Sequence, residues 1–81
     1  MNRKDVWQAV ELDLRRQKTQ MPNWPVHVVA QAAVVNAEAG QLLTNALEVK
    51  YNNSNREAMQ QHAISTIAKA IRFLEHLEEE K

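Results

Sequence analysis

PVHVVAQAAVVNAEAGQLLTNALEVK, residues 25–50, has no proline after its first position and no glycine except Gly40. Pro25 suits the first position of a helix, where its missing N–H has no carbonyl to serve. No breaker follows until about residue 50, so the stretch reads as one long helix. A strand is a poor reading, because apolar and polar residues never alternate for long. On a 100° wheel the helix has two sides. Val29, Ala32, Ala33, Asn36, Gly40, Leu43 and Leu47 make one, rich in small residues; Gln31, Val35, Glu38, Gln41, Leu42 and Asn45 make the other. Glycine in a helix costs about 1 kcal/mol relative to alanine. Gly40, in line with Ala33 and Leu47, therefore reads as a packing device that lets a second helix backbone come close.

On the N-terminal side, Val6, Trp7, Val10 and Leu14 recur at three- and four-residue intervals and predict a helix over 3–17. TQMPNWPVH then breaks the chain, since two prolines remove amide donors and disfavour helix in the residues before them. On the C-terminal side, NNSN precedes a third helix over 55–79, with Ser54 and Glu57 at capping-box spacing. Ile64, Ile67, Ala68, Ile71 and Leu74 form its core stripe, whereas His62, Ser65, Thr66, Lys69, Phe73 and His76 fall on its other side. The fold class is all-α: three helices in a single domain, 1–81. One neighbour cannot cover the apolar and small surface of the middle helix, so a bundle completed by homodimerisation is expected, with a tetramer as the alternative. Gly40, Ala33, Leu43, Leu47, Ile64, Ile67, Ile71 and Leu74 are its expected packing residues.

Composition narrows the function. Ten basic and ten acidic residues balance, so no net field draws the chain to nucleic acid or to an anionic membrane. The stretch without formal charge around residues 19–37 contains two prolines, a histidine and several amides, unlike a membrane span. Cysteine is absent, which excludes disulfides and thiolate chemistry and fits a cytoplasmic setting. The opening MNRKDVWQAVELDL has acidic residues where a signal peptide has an apolar core. The Glu78–Glu80 tail is expected to be solvated and frayed, its acids being unfavourable at a helix C-terminus.

WPVHVVAQAAVVNAEAGQLLTNALEVKY, followed after a short turn by REAMQQHAISTIAKAIRFLEHL, resembles the MazG-like branch of the all-α nucleotide pyrophosphohydrolases over about residues 24–77. The resemblance implies a helix bearing Glu-x-x-Glu, often EExGE, facing a later helix bearing Glu-x-x-Asp. In that family the four carboxylates hold magnesium, which bridges the phosphates of a nucleoside triphosphate while water attacks between α and β. Carboxylates three apart share a helix face, and magnesium favours such hard oxygens. Residue by residue, Glu38 matches the first Glu and is the one expected metal ligand; Gln41 stands at the second, and Ala37 where an additional Glu is common. His62 and Ser65 occupy the places of the later Glu and Asp. Shifting the register by one brings Gln60, Gln61, Ile64 or Thr66, none of them a carboxylate.

One carboxylate among Gln, His and Ser leaves such a site near neutral, and Lys69, one turn past Ser65, adds a repelling charge. Glu38, Gln41, His62, Ser65 and Lys69 are thus read as a remnant site, with no catalytic residue assigned. No cofactor is expected, and magnesium or manganese only if the family activity survives. The first functional expectation is a degenerate pyrophosphohydrolase-like scaffold with weak nucleotide binding. The alternative is a small helical dimer that binds another protein through the first helix and the Trp24 loop; the third is an active hydrolase with a different ligand set. Glu38 has a plainer reading as an ion-pair partner of Lys69 or His62 across the dimer interface, or as a residue that simply faces solvent. Lys69, Arg72, His62 and His76 could also favour an anion such as phosphate. The histidines lack HExxH spacing and Ser65 lacks a Gly-x-Ser-x-Gly setting, so zinc-protease and serine-nucleophile chemistry have no support.

Overall fold

Asn2 opens the first helix by accepting a hydrogen bond on its side-chain oxygen from the Asp5 N–H at 2.8 Å. In the computed structural model, which describes residues 1–77, this helix is α1, Arg3–Gln20. It is followed by α2, Val28–Asn52, and α3, Arg56–Leu77. The three predicted helices are present, and their ends differ from the expected ones for local reasons. α1 continues past residue 17 because Gln17 is buried against α3, and Lys18 reaches Glu75 of α3 at 3.2 Å.

α2 begins at Val28 and not at Pro25. Gln31, buried within the first turn, folds its side-chain amide back onto the carbonyl oxygens of Pro25 and Val26, at 2.8 and 3.2 Å. That bond holds the loop out of the helix, and His27 takes the extended N-cap conformation. At the other end Asn53 adopts the left-handed conformation that closes many helices, and the Ser54 N–H reaches back to the Glu48 carbonyl. The N-terminus of α3 is capped by Asn55 in place of the expected Ser54: its side-chain oxygen accepts from the Glu57 N–H at 2.7 Å. The expected end at residue 79 and the Glu78–Glu80 tail lie outside the described residues.

α3 is the central element, with α1 packed along one side and α2 along another, while α1 and α2 do not pack on each other. Between α1 and α3 lie the buried apolar side chains Val10, Leu14, Ile64 and Ala68, with Val6, Ala9, Ile67 and Ile71 against them. Of the expected α3 stripe, Leu74 alone faces solvent. α2 meets α3 through half-buried Val35, Glu38, Leu42 and Asn45 and buried Gln31. Its opposite side, with Val29, Ala33, Gly40, Leu43 and Leu47, is exposed. No helix among the described residues is long and apolar enough to cross a membrane.

Candidate functional site

The α2–α3 contact brings three of the five expected site residues together. Glu38 projects from the middle of α2, and His62 and Lys69, seven apart and so two turns along α3, close on it from one face. Lys69 Nζ donates to Glu38 Oε1 at 2.8 Å, and His62 Nδ1 bonds Glu38 Oε2. The Glu38 side chain is only 11% exposed. Burial raises its pKa, but the hydrogen bonds and charges of Lys69 and His62 outweigh burial and hold it below the usual carboxylate range. The ion pair expected across a dimer interface thus forms within one chain.

The other two residues lie elsewhere. Gln41 is exposed on α2 and does not join the Lys69 and His62 bonds to Glu38. Ser65 turns towards α1: its carbonyl accepts from Gln17 Nε2 at 3.4 Å and its hydroxyl accepts from Gln61 Nε2 at 3.3 Å. Both amides also bind Asp13, Gln17 at 2.6 Å and Gln61 at 3.0 Å, and Arg16 pairs with the same carboxylate. This polar seam between α1 and α3 is structural. Its signal in sequence was faint, because Asp13 and Gln17 sit one turn apart among charged residues that read as a solvated face.

A divalent cation does not fit this arrangement. Each Glu38 oxygen already has a partner, and one is an ammonium standing where a cation would have to bind. Glu38 and Lys69 cancel in charge, whereas a magnesium site needs several anionic oxygens. Among the described residues, no group of three or more His, Asp or Glu side chains converges as a metal site would require.

The basic residues considered for an anion divide into two groups. His62 and Lys69 serve Glu38, while Arg72 and His76 surround Trp24 in the loop before α2. Arg72 is 2% exposed; its Nη2 donates to the Met21 carbonyl at 2.8 Å and its guanidinium lies 4.6 Å from the Trp24 ring centre. The His76 ring stacks on Trp24 at 5.7 Å between centroids, and its Nδ1 lies 2.8 Å from the Arg72 carbonyl. Trp24 therefore closes the end of the α3 packing, and Arg72, which reads as a surface base in the sequence, anchors the loop. Trp7, by contrast, is half exposed, and with Lys4, Gln8, Glu11, Leu12 and Arg15 it lines an open groove on the outer side of α1.

No protein-family model, curated protein or solved structure matches the chain. The all-α three-helix fold is what the geometry establishes.

Proposed function

We propose that the protein is a MazG-like helical scaffold without triphosphate hydrolysis, acting by binding protein surfaces. The observation that carries this reading is the Lys69 ammonium on Glu38, the one carboxylate that the resemblance assigns to metal. In the related hydrolases that position polarises phosphate through a cation; in this chain it ties α2 to α3. The order of the helices and the facing of Glu38 by His62 support the resemblance as a scaffold, and the loss of converging carboxylates argues against its chemistry. The reading as an interaction module gains from the groove along α1, where Trp7 and Leu12 are both more than half exposed. Aromatic anchors of that kind commonly carry binding energy at interfaces.

Isothermal titration with magnesium and manganese, each alone and then with a nonhydrolysable nucleoside triphosphate, tests the scaffold reading. A folded protein that shows no metal-dependent nucleotide binding is the expected result. Saturable metal-dependent binding would overturn it and restore the hydrolase reading with a ligand set outside Glu38, Gln41, His62 and Ser65.

A further inference from the structure

Arg72 is 2% exposed, yet of its N–H groups only those on Nη2 have a partner, the Met21 carbonyl. Nε and Nη1 are sealed from water and bond to nothing among the described residues. The Nε1 of Trp24, on the ring that lies against this guanidinium, is sealed and unpaired as well. Among the described residues no carboxylate comes within ion-pair distance of Arg72. Glu75 acts on it through space, since its own carboxylate is half exposed and pairs with Lys18 at 3.2 Å.

A buried cation ordinarily has a counter-ion, and buried N–H groups ordinarily have acceptors. Beneath the loop 21–27 the described residues supply neither. The face of the Trp24 ring attracts the charge, but it offers no acceptor atom to Nε or Nη1. His76 supplies none either: its ring stacks on Trp24 and its Nδ1 is turned to the Arg72 carbonyl. What the three nitrogens call for is an acceptor that carries negative charge.

We propose that Arg72 Nε and Nη1, together with Trp24 Nε1, bind a phosphate-type oxyanion beneath this loop. The proposal goes beyond the scaffold reading and does not depend on it. His62 and Lys69 take no part, being engaged with Glu38, so the site is a single buried guanidinium with an indole and not a cluster of four bases. The shape of the donor set selects the ligand. Guanidinium N–H groups lie in one plane, whereas the indole N–H lies in the plane of a ring whose centre is 4.6 Å from the guanidinium carbon. A planar carboxylate answers the guanidinium alone; a tetrahedral oxyanion has a further oxygen, out of that plane, for Trp24. Room for it comes from the loop. α1 and α2 do not pack on each other, and the loop meets solvent at Met21 and Val26, 43% and 76% exposed. A shift of the loop therefore admits the anion while α3 keeps both neighbours.

Inorganic phosphate is the probe, titrated with a chelator present so that no metal takes part. Calorimetry should show one saturable site per chain with a dissociation constant in the low millimolar range, and acetate should bind at least tenfold more weakly. In a Trp7→Phe chain Trp24 is the one indole left, and its emission should shift with the same midpoint. Trp24→Phe keeps a ring over Arg72 and removes the N–H. It should weaken phosphate at least tenfold, as loss of one bond to a charged group does, while circular dichroism remains helical. Arg72→Lys, which keeps the charge and loses the fork, should abolish binding. Phosphate also strengthens apolar burial in any protein, so melts must be compared between variants. Against chloride of equal ionic strength, phosphate at about fifty times its dissociation constant should raise the parent's melting point by about 5 °C or more, and that of Trp24→Phe much less. An equal rise in both chains, acetate binding as tight as phosphate, or no heat up to about 50 mM phosphate would overturn the proposal. Because metal is excluded, this result is independent of the metal-dependent nucleotide titration, and the two readings fail separately.

Discussion

Lys69 decides what Glu38 can do. A carboxylate this buried would be costly to keep ionised without its two partners, so the ion pair is a structural clamp between α2 and α3. Lys69→Met should destabilise the fold by about 1–3 kcal/mol in chemical denaturation. In a Glu38→Gln background the same change should cost much less, and equal losses in both backgrounds would show that the two residues act independently. The pH dependence follows from the depressed Glu38 pKa. A folded-state value below the unfolded one adds stability that is fully present above the ordinary carboxylate range and disappears as pH falls through the lowered value. Denaturation midpoints should therefore decline on acidification below about pH 5, with a shallower decline in Glu38→Gln. Arg72 is the second residue with a large expected effect. Arg72→Ala removes a charge-assisted bond to the Met21 carbonyl and the stack on Trp24, which together should cost about 2–4 kcal/mol. The accompanying change should be visible in Trp fluorescence, and an unchanged midpoint would mean that the loop needs no anchor.

Caps separate what periodicity can locate from what it cannot. Asn55→Ala should lower stability by about 1 kcal/mol, whereas Ser54→Ala should be within a few tenths, the reverse of what the capping-box spacing implies. Thermal melts of the two variants side by side decide between them. The three helices were legible because their apolar repeats and the two breaks between them are strong local signals. The start of α2 was not, because it depends on Gln31 reaching back to the loop, a side-chain bond that leaves no mark in hydropathy. The two sides of α2 were legible in part: Gln31, Val35, Glu38 and Leu42 do face α3 and Val29, Ala33, Gly40, Leu43 and Leu47 are exposed, while Ala32 and Asn36 line a groove shared with Ala70 and Phe73 of α3. Gln41 departs from that division: about 60° from Glu38 round the helix, it lies at the edge of the contact and is exposed. For the candidate site, spacing could place Glu38 and His62 on their helices. It could not reveal that Lys69 would close on Glu38 while Ser65 turned to α1, because those directions are set by how α3 divides its surface between two neighbours. The same geometry specifies a redesign: His62→Glu with Lys69→Glu would gather three carboxylates about one point. If the scaffold keeps the approach of α2 to α3, that variant should gain millimolar or tighter magnesium affinity by calorimetry, and a folded variant without gain would place the helices too far apart for a metal.

At the scale of the molecule, a single layer of three helices measures 46 × 27 × 21 Å and has a radius of gyration of 13.7 Å. A compact chain of this length would have about 12 Å. The excess goes with the shape of the core, which lies between α1 and α3 and leaves the far side of α2 uncovered. Small domains with so little buried apolar surface are marginal alone. If folding and pairing are one process, stability must depend on concentration. The melting temperature should rise by about 3–5 °C for each tenfold increase in protein, given about 4–8 °C per kcal/mol for a domain of this size and two chains sharing each gain. Gly40→Ala provides the sharper form of the same test, because its effect should change sign. In a dilute, dissociated chain the added methyl meets nothing and improves the helix, raising the melting point by up to about 1 kcal/mol's worth. At high concentration the methyl intrudes between paired helices, and the gain should vanish or reverse. A variant more stable than the parent by the same margin at every concentration would mean that no helix approaches Gly40, and that the outward face of α2 meets only water.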